Sequence, residues 1–336
     1  MQPFTYARPG SLGEAFALAA VPGAALLAGG TTMVDLMRGD LAAPSSVVDI
    51  GHLAELATFD TSGTVLRFGA LARMADVAED ATLLRDYPAL AESLQLAASQ
   101  QLRNAATVGG NILQRTRCPY FRDGVSACNK RVPGSGCSAV DGGVTREMAL
   151  FGGSERCVAT YPGDWGTTLA AFDTSVEVAS AQGTRTIPFE QLHVAYGEDP
   201  AAETVLRPGE IVTAILVQAT PLGRRSTYLK VRDRQSYAYA VVSAAVALEM
   251  DGAVVTAARV SLGGVATKPW RSREAEAALV GVRLGKAGGE PGDEAGALAA
   301  GRAGFAGARL LAENGFKVEL GARAVARAAL VASRRG

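Results

Sequence analysis

The sequence predicts a mixed α+β protein built from three modules. Three features carry that prediction. Apolar runs end in Gly-rich turns that open helix-like segments, β-branched runs pair across Gly-containing turns, and a stretch rich in Ala, Glu, Leu and Arg closes the chain. With 336 residues, 48% of them apolar and 20% charged, the chain is long enough to bury cores for two or three domains.

The first module, residues 1–54, is a small α/β unit. "GAALLAGGTTMVDLMRGD" reads as a strand, a Gly-Gly-Thr-Thr turn and a helix, and the β-branched "SSVVDI" follows as a second strand. The second module, residues 55–220, takes "TVLRFGAL" as a strand and "YPALAESLQLAA" as an amphipathic helix. "TSVEVASAQGTRTIPFE" supplies two strands joined at Gln-Gly, and "IVTAILVQA" closes the module. The third, residues 225–336, opens with "AYAVVSAAVALEM" and "AVVTAARVSLGG" around Asp-Gly, an antiparallel hairpin, and continues in helix-forming stretches. "TPLGRR" marks the last boundary, and there is no internal repeat.

Charge excludes whole classes of partner. Lys plus Arg number 33 against 33 Asp plus Glu, so no net positive field draws in nucleic acid or an anionic membrane. No apolar run approaches twenty residues, and the opening "MQPFTYARPGSLGEAF" lacks a basic segment followed by an apolar one. The expectation is a chain without a membrane span or export signal of its own. It is then cytoplasmic, or periplasmic if exported with a signal-bearing partner.

Two glycine turns offer a ligand close access to the backbone. In "LLAGGTTMVDLM" the strand ends at Leu27, Gly29 and Gly30 carry no Cβ, and Thr31 and Thr32 are placed to cap the following helix. "TVGGNI" repeats the device with Thr107 and Asn111 as side-chain donors. Either turn alone is an ordinary strand-to-helix connection, whereas two on neighbouring units suit a ligand with a pyrophosphate. Neither is the dinucleotide fingerprint, which needs a third glycine and a strand-borne acid further on. "GSGCSA" matches that pattern by letter but follows "CNKRVP" rather than a strand.

Cys118, Cys128, Cys137 and Cys157 are all the cysteines in the chain, and they fall within a single window of forty residues. The segment 114–158 around them is rich in Arg, Gly, Ser, Asp, Asn and Pro. Its sparse apolar residues predict too little burial to offset an ordering entropy of roughly 1–2 kcal/mol per residue. Two disulfides, a structural zinc, an iron–sulfur cubane and four unligated thiols are the alternatives. The spacings of nine, eight and nineteen intervening residues do not favour zinc, which prefers close thiol pairs, and a cubane tolerates them.

The motifs "AGGTTMVDLM", "QQLRNAATVGGNILQRTRCPYFRD", "CNKRVPGSGC" and "KVRDRQSYAYAVVSAA" resemble the FAD-binding medium subunits of the molybdenum hydroxylases, the xanthine dehydrogenase and carbon monoxide dehydrogenase family. The resemblance spans the whole chain and is strongest to the periplasmic aldehyde oxidoreductase branch. It implies a two-subdomain vanillyl-alcohol-oxidase-like (PCMH-type) FAD-binding domain, followed by a C-terminal CO-dehydrogenase-flavoprotein-like domain with a small antiparallel sheet and helices. It also implies that segment 114–158 is an insertion folded around an additional 4Fe-4S cluster held by Cys118, Cys128, Cys137 and Cys157.

The resemblance further implies that Leu27, Ala28, Gly29, Gly30, Thr31, Thr32 and Met33 wrap the FAD pyrophosphate. Thr107, Gly110 and Asn111 would form the second flavin-contacting turn. Asp164 in "YPGDW" would bond ribityl or ribose hydroxyls, although by pattern it is equally a helix N-cap. Lys230 would sit near the isoalloxazine, where a cation favours the reduced anion, although by pattern it is a solvated strand lysine. Ile211 or Val212 would pack on the ring. His52 and His193 read as satisfied structural histidines.

The function so implied is an electron-transfer oxidoreductase subunit. It would work beside a large molybdopterin-binding subunit and a small 2Fe-2S subunit in a heterotrimer. The alternative is a zinc-stabilised flavin- or nucleotide-binding module without redox function.

Overall fold

The computed structural model describes residues 1–285 and 292–335. In the first module β1 (Thr5–Ala7), β2 (Ala24–Leu27) and β3 (Ser46–Asp49) form a parallel sheet ordered β1-β3-β2, with α1 (Leu12–Ala19) and α2 (Met33–Arg38) as its crossovers. Parallel neighbours require such crossovers. The β1 strand has three residues, too few to show an alternation. The start of α1, however, carries the capping-box signature Ser-x-x-Glu: Ser11 Oγ accepts from the Glu14 N–H and Glu14 accepts from the Gly10 N–H.

The second module is an antiparallel sheet of β4 (Phe59–Asp60), β5 (Val65–Gly69), β6 (Thr174–Ser180), β7 (Gly183–Pro188) and β8 (Ile211–Gln218), ordered β4-β5-β8-β6-β7. About a hundred residues leave the sheet between β5 and β6. They form α3 (Met74–Ala78), α4 (Ala81–Asp86), α5 (Pro88–Gln95), α6 (Gln100–Ala105), α7 (Val108–Ile112), α8 (Pro119–Arg122) and α9 (Asp164–Leu169), and α10 (Phe189–Leu192) follows β7. Phe68 and Trp165 meet edge to face at 5.5 Å in the core of this module, with Leu90, Leu94 and Ile215 around them.

The third module is a meander of β9 (Ser226–Val231), β10 (Val242–Asp251), β11 (Val254–Gly263) and β12 (Trp270–Arg271), all antiparallel. The predicted Asp-Gly hairpin joins β10 to β11, with Gly252 at a φ of 58°. Helices α11 (Arg273–Leu279), α12 (Glu294–Ala303) and α13 (Phe316–Ser333) cover the sheet and share its core. Residues 286–291 and 336, within the stretch read as helix-forming, lie outside the described residues. Among the described residues no helix is long and apolar enough to cross a membrane. The architecture is α+β, as the sequence predicts.

The insertion departs from expectation, because it is not without a core. Phe121 is fully buried and packs with Leu36 and Leu41 of the first module, and Met148 packs with Ala139 and Val158. Its apolar residues form small clusters, one shared with the first module and one mostly internal to the insertion, which composition alone does not show. Polar side chains tie the backbone as well. Asn129 Oδ1 accepts from the Gly134 and Gly136 N–H groups, and the main chains of Cys128 and Cys137 form an antiparallel bridge.

A buried ion pair fastens this insertion to the segment after α10. Lys130 has a fully buried side chain, lies 2.6 Å from Glu203, donates to the Pro200 carbonyl at 2.8 Å and sits 3.8 Å from the Tyr196 ring centroid. Arg115 donates to the same carboxylate. Removing one partner of a buried pair strands the other charge, a loss of about 3–5 kcal/mol. Glu203→Ala is therefore expected to lower the unfolding free energy measured by denaturant titration by an amount in that range. A loss under about 1 kcal/mol, the value of an exposed pair, would show that the pair does not hold the insertion.

Candidate functional site

The glycine turn after β2 is set against bare main chain. A Cβ built on Gly29 would lie 2.1 Å from the Ala105 carbonyl oxygen, so only glycine lets this turn reach the residues that precede the second turn. Gly30 has a φ of 74°, in the left-handed region. Thr32 is the N-cap residue of α2, but its side chain makes no capping bond, contrary to the expected role of Thr31 and Thr32. That leaves the first amides of the helix without a side-chain acceptor.

The second turn is the start of α7. Thr107 Oγ1 accepts from the Gly110 N–H, as an N-cap should. Gly109 lies against Ala70, where a Cβ would meet backbone at 2.8 Å, whereas Gly110 is exposed and meets only Thr107 Oγ1 at 3.0 Å. The two glycines thus differ in kind: Gly109 is fixed by packing and Gly110 faces open space. Asn111 Oδ1 is buried with no hydrogen-bond partner, an acceptor waiting for a donor.

A cleft of about 780 Å³ opens where the modules meet. Thr31 of the first turn, Asp164 of α9 and Lys230 of β9 line it, together with Arg117 and Cys118 of the insertion and Lys317 of α13. Its volume is in the range of sites that enclose organic cofactors. The hydroxyl of Ser243, also in its lining, has no partner. Unpaired polar groups at a concave seam fit a large polar ligand such as FAD.

Asp164 and Lys230 come together as a buried pair. The carboxylate accepts from Lys230 Nζ at 2.8 Å and from the Tyr228 hydroxyl at 2.5 Å, and Lys230 also donates to the Leu96 carbonyl. Burial pushes the Asp164 carboxyl above its ordinary range, opposed by the Lys230 charge and these hydrogen bonds. Asp164 is the first residue of α9, and its side chain caps nothing, because Gly163 holds the cap position. Lys230 is not a solvated strand lysine: its side chain is 1% exposed.

Lys317 is a cleft residue that pattern reading misses. It too is 1% exposed, donates to the carbonyls of Met148 and Gly264, and has its pKa lowered to about 8 by burial. No motif surrounds it; only its position beside Asn314 at the start of a long amphipathic helix was available as a signal.

Other expected residues fall elsewhere. Ile211 belongs to the core of the first module and Val212 to that of the second, and neither lines the cleft. Both sit at the start of β8, where alternate side chains enter opposite cores. His52 is satisfied, donating from Nε2 to the Pro9 carbonyl and accepting at Nδ1 from Arg8. His193 is buried and held neutral, its pKa lowered to about 3 by burial, yet its Nε2 lacks a partner, so it is not the satisfied histidine expected.

All four cysteines are free thiols, so the disulfide alternative has no support in the structure. Cys118 packs into small clusters shared with Cys128, with Cys137 and with Cys157 in turn, so the insertion draws the four together. Burial raises the Cys118 thiol to about 11 and the Cys157 thiol to about 12. Among the described residues, however, no three His, Cys, Asp or Glu side chains form a group that could hold a metal ion. The expected ligand set is therefore gathered but not arranged as a metal site.

Fold and cleft describe an FAD-binding subunit assembled from two joined domains, and comparison with known proteins agrees. Residues 2–218 match the family described as FAD binding domain in molybdopterin dehydrogenase, and residues 227–332 match the CO dehydrogenase flavoprotein C-terminal domain. The chain is 43% identical to the aldehyde oxidoreductase FAD-binding subunit PaoB of Escherichia coli over 97% of both sequences. It is 27% identical to the carbon monoxide dehydrogenase medium chain of Afipia carboxidovorans, over 84% of this chain and 82% of that one. Quinoline 2-oxidoreductase from Pseudomonas putida 86 shares the fold, with a TM-score of 0.72 at 23% identity, over 99% of this chain and 97% of that one. The chain belongs to the FAD-binding medium-subunit family of the molybdenum hydroxylases and is a subunit of an aldehyde oxidoreductase/xanthine dehydrogenase-type oxidoreductase.

The contrast between glycines is testable. Gly29→Ala drives a Cβ into main chain that cannot yield, so it is expected to cost about 1–3 kcal/mol of stability and to lose flavin. Gly110→Ala should leave the unfolding free energy of the flavin-free protein within about 0.5 kcal/mol of wild type, the range of substitutions away from packed features, while lowering flavin content. Equal losses of stability in the two variants would contradict the geometry.

Proposed function

We propose that this chain is the electron-transfer subunit of a molybdenum hydroxylase. It would take reducing equivalents from a molybdopterin-bearing large subunit and a 2Fe-2S small subunit of a heterotrimer and deliver them to an external acceptor. The observation that carries this reading is the cleft at the module junction, which brings Thr31 of the glycine turn together with the Asp164–Lys230 pair in a chain whose aldehyde oxidoreductase relative matches 97% of it. FAD, when bound, supplies chemistry that accepts electrons singly or in pairs.

The chain's own residues hold and tune the cofactor. Leu27 to Met33 wrap the pyrophosphate, with Gly29 seating the turn against the Ala105 main chain and Thr31 facing the cleft. Thr107 fixes the second turn so that Gly110 and Asn111 meet the ligand. Asp164, already accepting from Tyr228 and Lys230, keeps lone pairs for ribityl or ribose hydroxyls. Because Lys230 is neutralised by Asp164, it positions that carboxylate more than it supplies free positive charge.

The proposal includes a 4Fe-4S cluster held by Cys118, Cys128, Cys137 and Cys157. Four thiols from one segment, drawn together and joined to the rest of the chain by Lys130 and Glu203, are the donor set that such a cluster uses. Ligation would remove the thiol protons that burial otherwise retains.

Two measurements decide. Acid denaturation of the purified chain is expected to release about one non-covalent FAD per chain; absence of flavin, or release of FMN, would refute the flavin reading. Elemental and sulfide analysis should give about four iron and four acid-labile sulfides, lost in Cys137→Ser. Stoichiometric zinc without sulfide would replace the cluster with a structural metal.

A further inference from the structure

We infer that Arg117 and Arg122, both from the insertion, grip the pyrophosphate of FAD. The inference rests on the flavin reading above and adds two ligand-binding residues to it.

Both guanidiniums line the same cleft as Thr31 of the glycine turn. Their place there is set by Asp35, in the first turn of α2 and four residues beyond Thr31, which accepts from Arg117 Nη1 at 3.0 Å and from Arg122 Nη2 at 2.7 Å. The helix that starts at the turn thus carries the acid that brings both arginines to it.

Charge points to an anion. Two cations share one carboxylate, which leaves one positive charge uncompensated beside the turn. Lys230, by contrast, has its own buried acid in Asp164. Arg117 also retains unused donors: its Nε is buried with no acceptor, and Nη1 alone reaches Asp35. Its guanidinium is held 5.1 Å over the Tyr239 ring, so its orientation is set before any ligand arrives. A planar fork fixed in this way matches phosphate oxygens in two-point contact, and arginine at such a position is not replaceable by lysine without loss.

A consequence is that the insertion belongs to the flavin site. Arg117 adjoins Cys118, so the segment that carries the cysteines also carries part of the cofactor's anion site.

The test is titration of the flavin-depleted chain with FAD, ADP and riboflavin, in wild type, Arg117→Gln and Arg122→Gln, with circular dichroism as the check on folding. Each variant is expected to bind FAD and ADP at least about tenfold more weakly, the value of one charge-assisted hydrogen bond, and to bind riboflavin, which lacks phosphate, as wild type does. If a Gln variant does not fold, the Lys variant at that position replaces it and should show the same selective loss to a smaller degree. Unchanged FAD and ADP affinity in folded variants overturns the inference, and so does a parallel loss for riboflavin, which would assign the arginines a purely structural part. A wild-type chain that binds no FAD refutes the flavin reading itself, and the two failures are thereby distinguishable.

Discussion

The approach of Gly29 to the main chain at Ala105 and Ala106 is the constraint on which the site depends. Two helix-opening turns, one from each of the first two modules, can form a common cradle only if their backbones come within contact of one another. A Cβ would hold them apart. Gly109 performs the corresponding task against Ala70, tying the second turn to the end of β5. Once these contacts are made, the positions of Thr31, Gly110 and Asn111 relative to one another follow.

Buried charge then governs what the cleft can hold. Lys230 and Lys130 are each matched by an acid from a distant part of the chain, Asp164 and Glu203, and such pairs specify geometry more than they add stability. The first fixes the orientation of an acceptor carboxylate in the cleft, and the second fixes the insertion to its neighbours. Lys317 bonds only carbonyls but has Glu147 near it in the cleft lining, whereas positive charge is left over where Asp35 serves two arginines. An anionic cofactor is what would balance it.

Much of this was legible in the residues. The glycine turns, the Asp-Gly hairpin and the β-branched runs are local signals, governed by backbone conformation and alternation, and the strands β2, β3, β5 to β8, β10 and β11 lie where those signals place them. The four cysteines in one window announced that the insertion has a purpose, because only clustering, not fold, was needed to see it.

The partners of long-range contacts were not legible. That β5 pairs with β8 across about 140 residues, that Phe121 finds its core against Leu36, and that Ile211 and Val212 face cores rather than cleft are decided by which surfaces meet when the modules close. The same closure turned Lys230 from an apparent strand-surface lysine into half of a buried pair, and it gave Lys317 a place in the cleft that no motif marks. The sequence by itself determined the modules, the turns and the kind of ligand they suit, because these rest on neighbouring residues. Tertiary structure alone decided which charges are cancelled and which remain, because Coulomb interaction and desolvation depend on distance in space and not on distance along the chain.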